Sequence, residues 1–494
     1  MYVSPFLVKK TFILIFAFYA GSMVILNYLI PPFQNPDEPV HFGTILIYLK
    51  GEEKKDEMET QIIQMMDRHF WWRYVGLGRP EVLPTKLSAI PFLMQNYPLE
   101  DFRLRLNNLV LYHRLMALGF KVAGLKNLSV NRLYFIYRLT SAFFLFLSLF
   151  LIGLTIKRIN PLIWSGFNKQ PSEKLILISS VLILLFAIFL PQFLMAGVAV
   201  SPDAFIIFMG CLFFLLAFEV IIKGKFLFYW PLLGFLVLVG ILADRALFPF
   251  ILIFLLSLVF SLNKENYKVA LPASIFLFFG FILISYLLVF IFPAQIESSL
   301  NLLKNVRAGL KGIWPKFFSL SDYNRQFLLF LLDSFWLRFG WMAFTARKVF
   351  YLIWRLLIFL ASVGVIVYFI KIFLRTLPGK ERERQKSLMI ERVVIVKIIL
   401  FSILCLFIQL FGIYSYYGRV SWMPQGRYIF PLITPLLLLF FVGIVALLNL
   451  WRFRAGLVAM ALVVIFVFLF SNIILWGKVA SVFHLTVRGP HPGL

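Results

Sequence analysis

Long apolar stretches alternate along the chain with short polar connections and with two longer mixed segments. An apolar run of about 20 residues is long enough to cross a lipid bilayer as an α-helix. Runs of this kind predict eleven membrane-spanning helices, at residues 11–30, 134–156, 175–193, 203–222, 226–243, 246–263, 269–293, 350–374, 393–413, 428–449 and 455–476. The predicted fold is therefore an all-α polytopic membrane protein.

The composition agrees with this pattern and excludes other classes of protein. The chain has 494 residues, a mean hydropathy of +0.91 and 61% hydrophobic residues, and only 14% of its residues are charged. A soluble chain of this length cannot bury so much apolar surface, and a disordered chain is polar and charge-rich. Cys211 and Cys405 lie inside apolar runs, which predicts two buried thiols and neither a disulfide nor a metal site.

The formal net charge of +26 predicts membrane lipids, and not nucleic acid, as the partner of the basic residues. Lys and Arg are concentrated in short connections on one side of the predicted bilayer, such as Lys9–Lys10 and residues 375–392. Basic connections of this kind stay in the cytoplasm, where they meet anionic head groups. The pattern predicts a cytoplasmic N-terminus and an extracytoplasmic C-terminus.

Two segments are too long to be simple connectors, and segments of this length usually carry function. The predicted parts are 1–30, the first span; 31–133, a large first extracytoplasmic loop; 134–293, spans two to seven; 294–349, a second extracytoplasmic segment; and 350–494, spans eight to eleven. Short interfacial helices are expected in the first loop, with an apolar helix at 40–50 followed by a solvated loop at 52–59. Residues 297–314 predict an amphipathic helix with a basic and an apolar face.

The first candidate site lies immediately after the first span. Pro36 and Pro39 restrict the backbone around Asp37 and Glu38, and His41 follows within one helical turn. A carboxylate at the membrane surface can accept a proton from a hydroxyl group, and paired carboxylates can bind Mg²⁺ or Mn²⁺. The alternative is structural, because the side chain of Asn35 or of Asp37 can also cap the helix that follows.

Two further candidates lie at the outer ends of later spans. Asp203 follows Ser201 and Pro202 at the start of the fourth span, which predicts either a helix cap or a polar site residue. Asp244 and Arg245 occupy the turn after the fifth span, where Arg245 is either solvated or faces an anionic ligand.

The segment before the tenth span combines basic, polar and aromatic residues. It contains Arg419, Gln425, Arg427 and Tyr428. An arginine at this height can bind a phosphate group of a ligand through paired hydrogen bonds. The alternative is that Arg427 only extends to the phosphates of surrounding lipid.

Several catalytic classes have no motif in the sequence. It contains no phosphate-cradling Gly-Lys-Ser/Thr loop, no His-Glu-x-x-His and no Gly-x-Ser-x-Gly. The charges nearest to mid-span are Arg355 and Glu219, both within reach of an interface, so a proton relay is not expected. His69, His113, His484 and His491 are isolated in the sequence, and no internal repeat indicates a transporter built from two halves.

Three short patches carry a resemblance to known proteins: Asn35–Phe42, Ser201–Ala204 and Gln425–Tyr428. With a cytoplasmic N-terminus, a carboxylate pair after the first span, a large first outer loop and about eleven spans, the chain resembles the GT-C superfamily of membrane glycosyltransferases. More narrowly, the three patches resemble the bacterial membrane family called domain of unknown function 2142.

The resemblance implies a transferase on the outer face of a bacterial cytoplasmic membrane. The donor would be a sugar on a polyprenyl-phosphate carrier, and the acceptor would be a glycan, a lipid or a protein. Asp37 would be the general base, with Glu38 and His41 beside it, and Asp37 and Glu38 would hold a divalent cation if one takes part. The donor phosphate would be bound by Arg427, Arg245 and Arg419, and further substrate contacts would come from Asp203, Gln425 and Tyr428.

Two other functional classes fit the same sequence features. A transporter or flippase of a lipid-linked glycan would use the same basic outer interface without making a bond. A non-catalytic membrane protein of envelope assembly would need neither the acids nor the arginine.

Overall fold

The computed structural model describes most of the predicted helical part of the chain. The described residues are 5–34, 37–69, 71–74, 79–90, 111–167, 173–224, 226–262, 322–339, 344–345, 348–376, 386–417, 425–449 and 453–471. Within these ranges the chain is helical, apart from turns and one antiparallel pair of two-residue strands, Arg338–Phe339 (β1) and Phe344–Thr345 (β2). The predicted seventh span at 269–293 and the predicted amphipathic helix at 297–314 lie outside the described residues.

The N-terminal half begins with one long helix, continues through short helices of the predicted first loop, and then enters a bundle of apolar helices. The α-helices are α1 (Pro5–Leu29), α2 (Glu38–Lys50), α3 (Lys55–Arg68), α4 (Trp71–Tyr74), α5 (Leu111–Val122), α6 (Val130–Gly166), α7 (Glu173–Phe189), α8 (Pro191–Gly197), α9 (Asp203–Lys223), α10 (Phe226–Ala243) and α11 (Phe250–Ser261). Single 3-10 turns lie at Glu52–Lys54, Leu87–Ala89, Leu125–Asn127 and Arg245–Leu247.

The C-terminal half adds five α-helices and a longer 3-10 helix. These are α12 (Asp322–Leu337), α13 (Lys348–Thr376), α14 (Lys386–Tyr417), the 3-10 helix Gly426–Leu432, α15 (Ile433–Asn449) and α16 (Phe453–Ser471). Helix α15 is central, since it packs against α13, α14 and α16 and its Phe441, Val442 and Val445 are fully buried.

Among the described residues, five helices are long and apolar enough to cross a membrane, which confirms the prediction of an α-helical, multi-pass membrane protein at this level. They are Val130–Ser165, Asp203–Lys223, Lys348–Ile372, Glu391–Ser415 and Gly426–Leu447. A sixth candidate is the pair α7 and α8, and shorter apolar helices lie at Phe12–Asn27, Tyr229–Ala243 and Phe250–Ser261. Large apolar side chains on α13, such as Leu352, Leu356 and Phe359, face outward, as lipid-facing side chains do.

The prediction of one continuous helix over 175–193 is wrong. The chain bends by 70° between Phe189 and Pro191, and α8 starts at that proline. Proline has no N–H to continue the preceding helix but suits the first turn of a new one.

The prediction of a loop over 52–59 is also wrong, although five of its charged residues are exposed as predicted. This segment forms a 3-10 turn and the first residues of α3. Glu59 is buried, and its Oε2 accepts a hydrogen bond of 3.1 Å from the backbone N–H of Leu87. The buried Met58 and Ile62 on the same helix supply the apolar face that holds α3 against the rest of the protein.

The two charged residues nearest to mid-span have partners. Arg355 on α13 donates to both carboxylate oxygens of Asp333 on α12, at 2.8 Å each from Nη2. Glu219 on α9 pairs with Arg158 of α6 at 3.1 Å and with Lys223 one turn later. Pairing offsets part of the cost of placing a charge in apolar surroundings.

Helices α13 and α15 touch through their backbones. A Cβ atom added at Gly443 would collide with the carbonyl of Ala361, and one added at Gly364 would collide with the carbonyl of Gly443. Small residues allow this close approach, which increases van der Waals contact between helices in a membrane.

We expect Gly443→Ala to destabilise the protein by about 1–3 kcal/mol, the usual effect of overpacking a filled site. Gly21→Ala on α1 is the matched control, because a Cβ atom there meets nothing within 4 Å. Thermal unfolding in detergent, followed by tryptophan fluorescence, compares the two variants with the unsubstituted chain. Equal melting temperatures for all three would contradict the close packing of α13 on α15.

Candidate functional site

The segment that carries Asp37 is anchored at the end of α1 by a buried arginine. Arg138 on α6 donates hydrogen bonds to the carbonyl of Ile30 at 2.7 Å and to the carbonyl of Pro31 at 2.9 Å. Its side chain is fully buried, and its guanidinium lies over the ring of Tyr134, 4.9 Å from the ring centroid. The chain therefore leaves α1 in a direction set by α6.

Phe33 turns the backbone toward α2. Its φ of 65° is in the left-handed region, which an aromatic residue rarely adopts. Two side chains hold it there: its N–H donates to the hydroxyl of Tyr134 at 2.8 Å, and its carbonyl accepts from the indole N–H of Trp71 at 3.0 Å. Such a conformation persists only when its surroundings over-determine it.

Asp37 precedes α2 and also has a left-handed backbone, with a φ of 64°. Its carbonyl accepts the first helical hydrogen bond, from the N–H of His41 at 2.9 Å, but its side chain makes no capping hydrogen bond. The capping alternative for this carboxylate is therefore wrong. Asp37 occupies the N-cap position through its backbone, but its carboxylate does not bind the N–H groups of the first turn of α2.

Glu38, the next residue, faces the protein interior. Its Oε1 accepts hydrogen bonds from the backbone N–H of Val200 at 2.6 Å and from the hydroxyl of Tyr134 at 3.1 Å. The residue is fully buried. Glu38 thus joins the start of α2 to the turn before α9, and this geometry favours a positioning role over direct contact with a substrate.

Asp203 is the first residue of α9, after a cap position occupied by Pro202. The hydroxyl of Ser201 donates to its Oδ2 at 2.8 Å. The Asp203 carboxylate is therefore not the N-cap, although a negative charge in the first turn of a helix is favourable.

Arg427 brings the three sequence patches together. Its Nη1 lies 3.2 Å from Oδ2 of Asp203, and its Nη2 lies 3.7 Å from Oδ2 of Asp37. The exposed fractions of the three side chains are 9% for Arg427, 17% for Asp203 and 34% for Asp37. We call these three residues the acid–arginine cluster.

The 3-10 helix Gly426–Leu432 holds Arg427 in place through its backbone. The N–H of Gly426 donates to the hydroxyl of Ser334 on α12 at 2.7 Å, and a Cβ atom at Gly426 would collide with the backbone of Phe335. The side-chain amide of Gln409 donates to the carbonyl of Tyr428 at 2.8 Å. The residues on both sides of Arg427 are therefore tied to the helix bundle.

The remaining predicted site residues lie at different places. Gln425 and Tyr428 flank Arg427, and the guanidinium lies 5.4 Å from the centroid of the Tyr428 ring. Arg245 begins a 3-10 turn. The side-chain amide of Gln409, which binds the carbonyl of Tyr428, also donates to the carbonyl of Ala246 in this turn, at 3.1 Å. The side chain of Arg245 and all of Arg419 lie outside the described residues.

Asp244 has a local structural role. Its Oδ1 accepts a hydrogen bond of 2.7 Å from the N–H of Ala246, two residues along the chain. This contact stabilises the turn between α10 and α11.

A histidine pair that the sequence did not indicate supports α2. Nδ1 of His41 lies 2.9 Å from Nε2 of His113 on α5, and the two buried rings are nearly parallel and meet edge to edge, with 13° between their planes and 5.2 Å between their centroids. The interpretation of His113 as isolated is wrong. An N–H···N hydrogen bond needs one neutral acceptor nitrogen, so at most one of the two imidazoles is doubly protonated.

Tyr112, the neighbour of His113, supports the other acid. Its hydroxyl donates to the carbonyl of Ser201 at 3.1 Å and accepts from the hydroxyl of Tyr137 at 2.6 Å. Burial raises the pKa of Tyr112, so the phenol stays neutral and keeps its proton for this bond. Adjacent residues of α5 thus hold the segments that carry Asp37 and Asp203.

The described residues do not assemble a complete cation site. Among them, no group of three or more His, Cys, Asp or Glu side chains is arranged to hold a metal ion. Oε1 of Glu38, the second predicted ligand, accepts hydrogen bonds from protein donors, and Asp37 faces a guanidinium.

The chain matches no protein-family model, and comparison with curated proteins and with solved structures gives no significant match.

A double-mutant cycle tests the histidine pair. His41→Ala and His113→Ala should each lower the free energy of unfolding, and together they should lower it by about 1 kcal/mol less than the sum, because both remove the same hydrogen bond. Unfolding of the full chain in detergent gives the four free energies.

The control cycle combines His41→Ala with Asp56→Ala, a substitution at an exposed position on α3. Its effects should add within about 0.5 kcal/mol. Additive effects for His41 and His113 as well would show that the two rings are not coupled.

Proposed function

We propose that this chain is a membrane glycosyltransferase that moves a sugar from a polyprenyl-phosphate carrier to a glycan, lipid or protein acceptor, with Asp37 as general base. The observation that carries the proposal is the acid–arginine cluster, in which one guanidinium from residue 427 meets carboxylates from residues 37 and 203. These residues come from the three patches that resemble the family called domain of unknown function 2142, in a chain whose layout resembles the GT-C superfamily.

The position of the cluster at the ends of apolar helices suits an amphiphilic donor. Asp37 follows the end of α1, Asp203 starts α9, and Arg427 precedes α15. Each of these helices is apolar, so all three side chains lie near an end of an apolar helix. A polyprenyl tail needs lipid while its phosphate and sugar need water, and only the boundary between the two satisfies both ends.

The reaction needs a base more than an acid. The acceptor hydroxyl oxygen attacks the anomeric carbon while the bond from that carbon to the phosphate oxygen breaks, and the bonding pair leaves with the polyprenyl phosphate. Asp37 takes the hydroxyl proton, and the configuration at the anomeric carbon inverts. The phosphate leaves as an anion, so it requires no proton from the protein.

The other members of the cluster have distinct roles in this proposal. Arg427 stabilises the negative charge on the leaving phosphate. Its longer contact, of 3.7 Å, is the one to Asp37, and the substrate enters on that side. Asp203, held by Ser201, orients the guanidinium. Glu38 and His41 position α2, while roles for Arg245 and Arg419 in phosphate binding, and for Gln425 and Tyr428 in sugar binding, rest on the resemblance alone.

The proposed setting is a bacterial cytoplasmic membrane. The chain would cross it eleven times, with the N-terminus in the cytoplasm and the cluster on the outer face, as the basic short connections indicate. In the proposed transfer step, no metal ion has a role.

We expect Asp37→Asn to lower the transfer rate by about two to four orders of magnitude, the usual contribution of a general base. Asparagine tolerates the left-handed backbone at this position, so the fold should be retained. The measurement uses full-length protein in vesicles with radiolabelled polyprenyl-phosphate hexoses and envelope acceptors, and follows the release of polyprenyl phosphate.

Asp56→Asn is the matched control, because it removes an exposed carboxylate from α3 in the same outer segment. It should leave transfer unchanged. Full activity of Asp37→Asn would remove this residue from the mechanism. Movement of labelled lipid across the vesicle, without release of polyprenyl phosphate from any donor, would favour the transporter instead.

A further inference from the structure

Helix α12 supports the 3-10 helix that carries Arg427. The N–H of Gly426 donates to the hydroxyl of Ser334, and a Cβ atom at Gly426 would collide with the backbone of Phe335. On the other side of Arg427, the ring of Phe430 packs on that of Phe335, with 4.8 Å between the centroids. The 3-10 helix is thus held at both ends by two adjacent residues of α12, so a shift of α12 shifts the backbone of Arg427.

The residues of α12 that flank this adjacent pair bind α13. Asp333, immediately before the pair, accepts hydrogen bonds from Arg355, at 3.1 Å from Nε to Oδ1 and at 2.8 Å from Nη2 to each oxygen. Trp336, immediately after the pair, stacks on Trp354, with 3.6 Å between the ring centroids and 8° between the planes. About one turn of α12 therefore connects α13 to the 3-10 helix.

The two contacts with α13 constrain α12 differently. Stacked aromatic rings tolerate a range of lateral offsets, so the tryptophan pair holds the two helices together without fixing their register. A guanidinium that binds both oxygens of one carboxylate requires a defined orientation of the two groups. The ion pair of Asp333 and Arg355 is therefore the contact that fixes the register of α12 on α13.

Stability is a weak reason for an ion pair in this position. The side chain of Asp333 is 10% exposed and that of Arg355 is 30% exposed. The desolvation of two such charges offsets much of their attraction, and replacement of a buried ion pair by well-packed apolar side chains is often neutral or stabilising. The pair therefore contributes a defined arrangement of the helices more than it contributes free energy of folding.

We propose that Asp333 and Arg355 are positioning residues for Arg427. Their ion pair fixes α12 on α13, and α12 fixes the 3-10 helix that presents the guanidinium to a phosphate group. The positioning concerns the geometry of this chain alone. Its consequence, the binding of a polyprenyl phosphate by Arg427, rests on the proposed function. Both residues act through α12 and not by contact with a substrate.

Arg355→Lys tests the positioning, because lysine keeps the positive charge but cannot bind both carboxylate oxygens as a fork. Hydrogen–deuterium exchange of the full-length protein in lipid nanodiscs is read by mass spectrometry. Exchange over Gly426–Leu432 should become about tenfold faster, the factor that corresponds to the loss of one hydrogen bond between charged groups. Exchange over α2 should stay unchanged, because α5 supports that helix.

Arg79→Lys is the matched control. Arg79 binds both carboxylate oxygens of Asp67 in the same geometry, at 2.8 Å and 3.0 Å, but this ion pair is exposed and joins α3 to the segment that follows it. The substitution should leave exchange over Gly426–Leu432 unchanged.

The double variant Asp333→Leu with Arg355→Met separates positioning from stability. It leaves no unpaired charge, so its melting temperature should stay close to that of the unsubstituted chain. Exchange over Gly426–Leu432 should still be faster, because apolar side chains fix no orientation. In both this variant and Arg355→Lys, the dissociation constant for a fluorescent polyprenyl phosphate should rise about tenfold, as the loss of one charged hydrogen bond to the phosphate implies. Arg427→Gln shows how much of this binding depends on the guanidinium.

Three results would overturn the proposal. Unchanged exchange over Gly426–Leu432 in Arg355→Lys would mean that the ion pair does not position this helix. Faster exchange over α2 as well would indicate a general loss of structure. Unsubstituted rates of exchange in the double variant would reduce the ion pair to a stabilising contact. Faster exchange confined to Gly426–Leu432, together with binding that does not depend on Arg427, would support the positioning and contradict the proposed function.

Discussion

The contact of one guanidinium with two carboxylates is the constraint on which the candidate site depends. Arg427 carries one positive charge, and Asp37 and Asp203 each carry a negative one, so the cluster has a formal excess of one negative charge. A mostly buried arginine needs such partners, because an unpaired cation in apolar surroundings is costly. The carboxylate with the greater exposure, Asp37, is the one left at the edge of the cluster. That asymmetry leaves Asp37 the more accessible of the two carboxylates, as the proposed reaction requires.

Neutral hydrogen-bonding groups carry the rest of the geometry. Helices α5 and α6 supply tyrosine and histidine side chains that satisfy the buried carboxylate of Glu38 and the backbone of the two turns that hold the acids. In the low dielectric of the interior an unsatisfied polar group costs more than it does in water, so these hydrogen bonds favour a single arrangement of the turns. The left-handed backbones of Phe33 and Asp37 are held within this network.

Helix α5 supports both acids of the cluster from one side, through His113 and Tyr112. Its buried face touches the segments of both acids, and its exposed face is apolar and basic.

Hydrophobic run length by itself determined that the chain is an α-helical membrane protein, because helix formation in lipid requires only that a segment be apolar and long enough. Described helices overlap every predicted span apart from 269–293, and the candidates Asp37, Asp203 and Arg427 follow from polar residues at the ends of apolar runs. Orientation across the bilayer stays a prediction. Only the tertiary structure showed that the carboxylates of Asp37 and Asp203 contact Arg427 instead of capping a helix. It also showed that His41 pairs with His113 and that Glu38 and Glu59 are buried and hydrogen-bonded. Each of these outcomes depends on a contact between residues far apart in the chain, and periodicity in one sequence reports only whether a position faces lipid or water, not which distant side chain it meets.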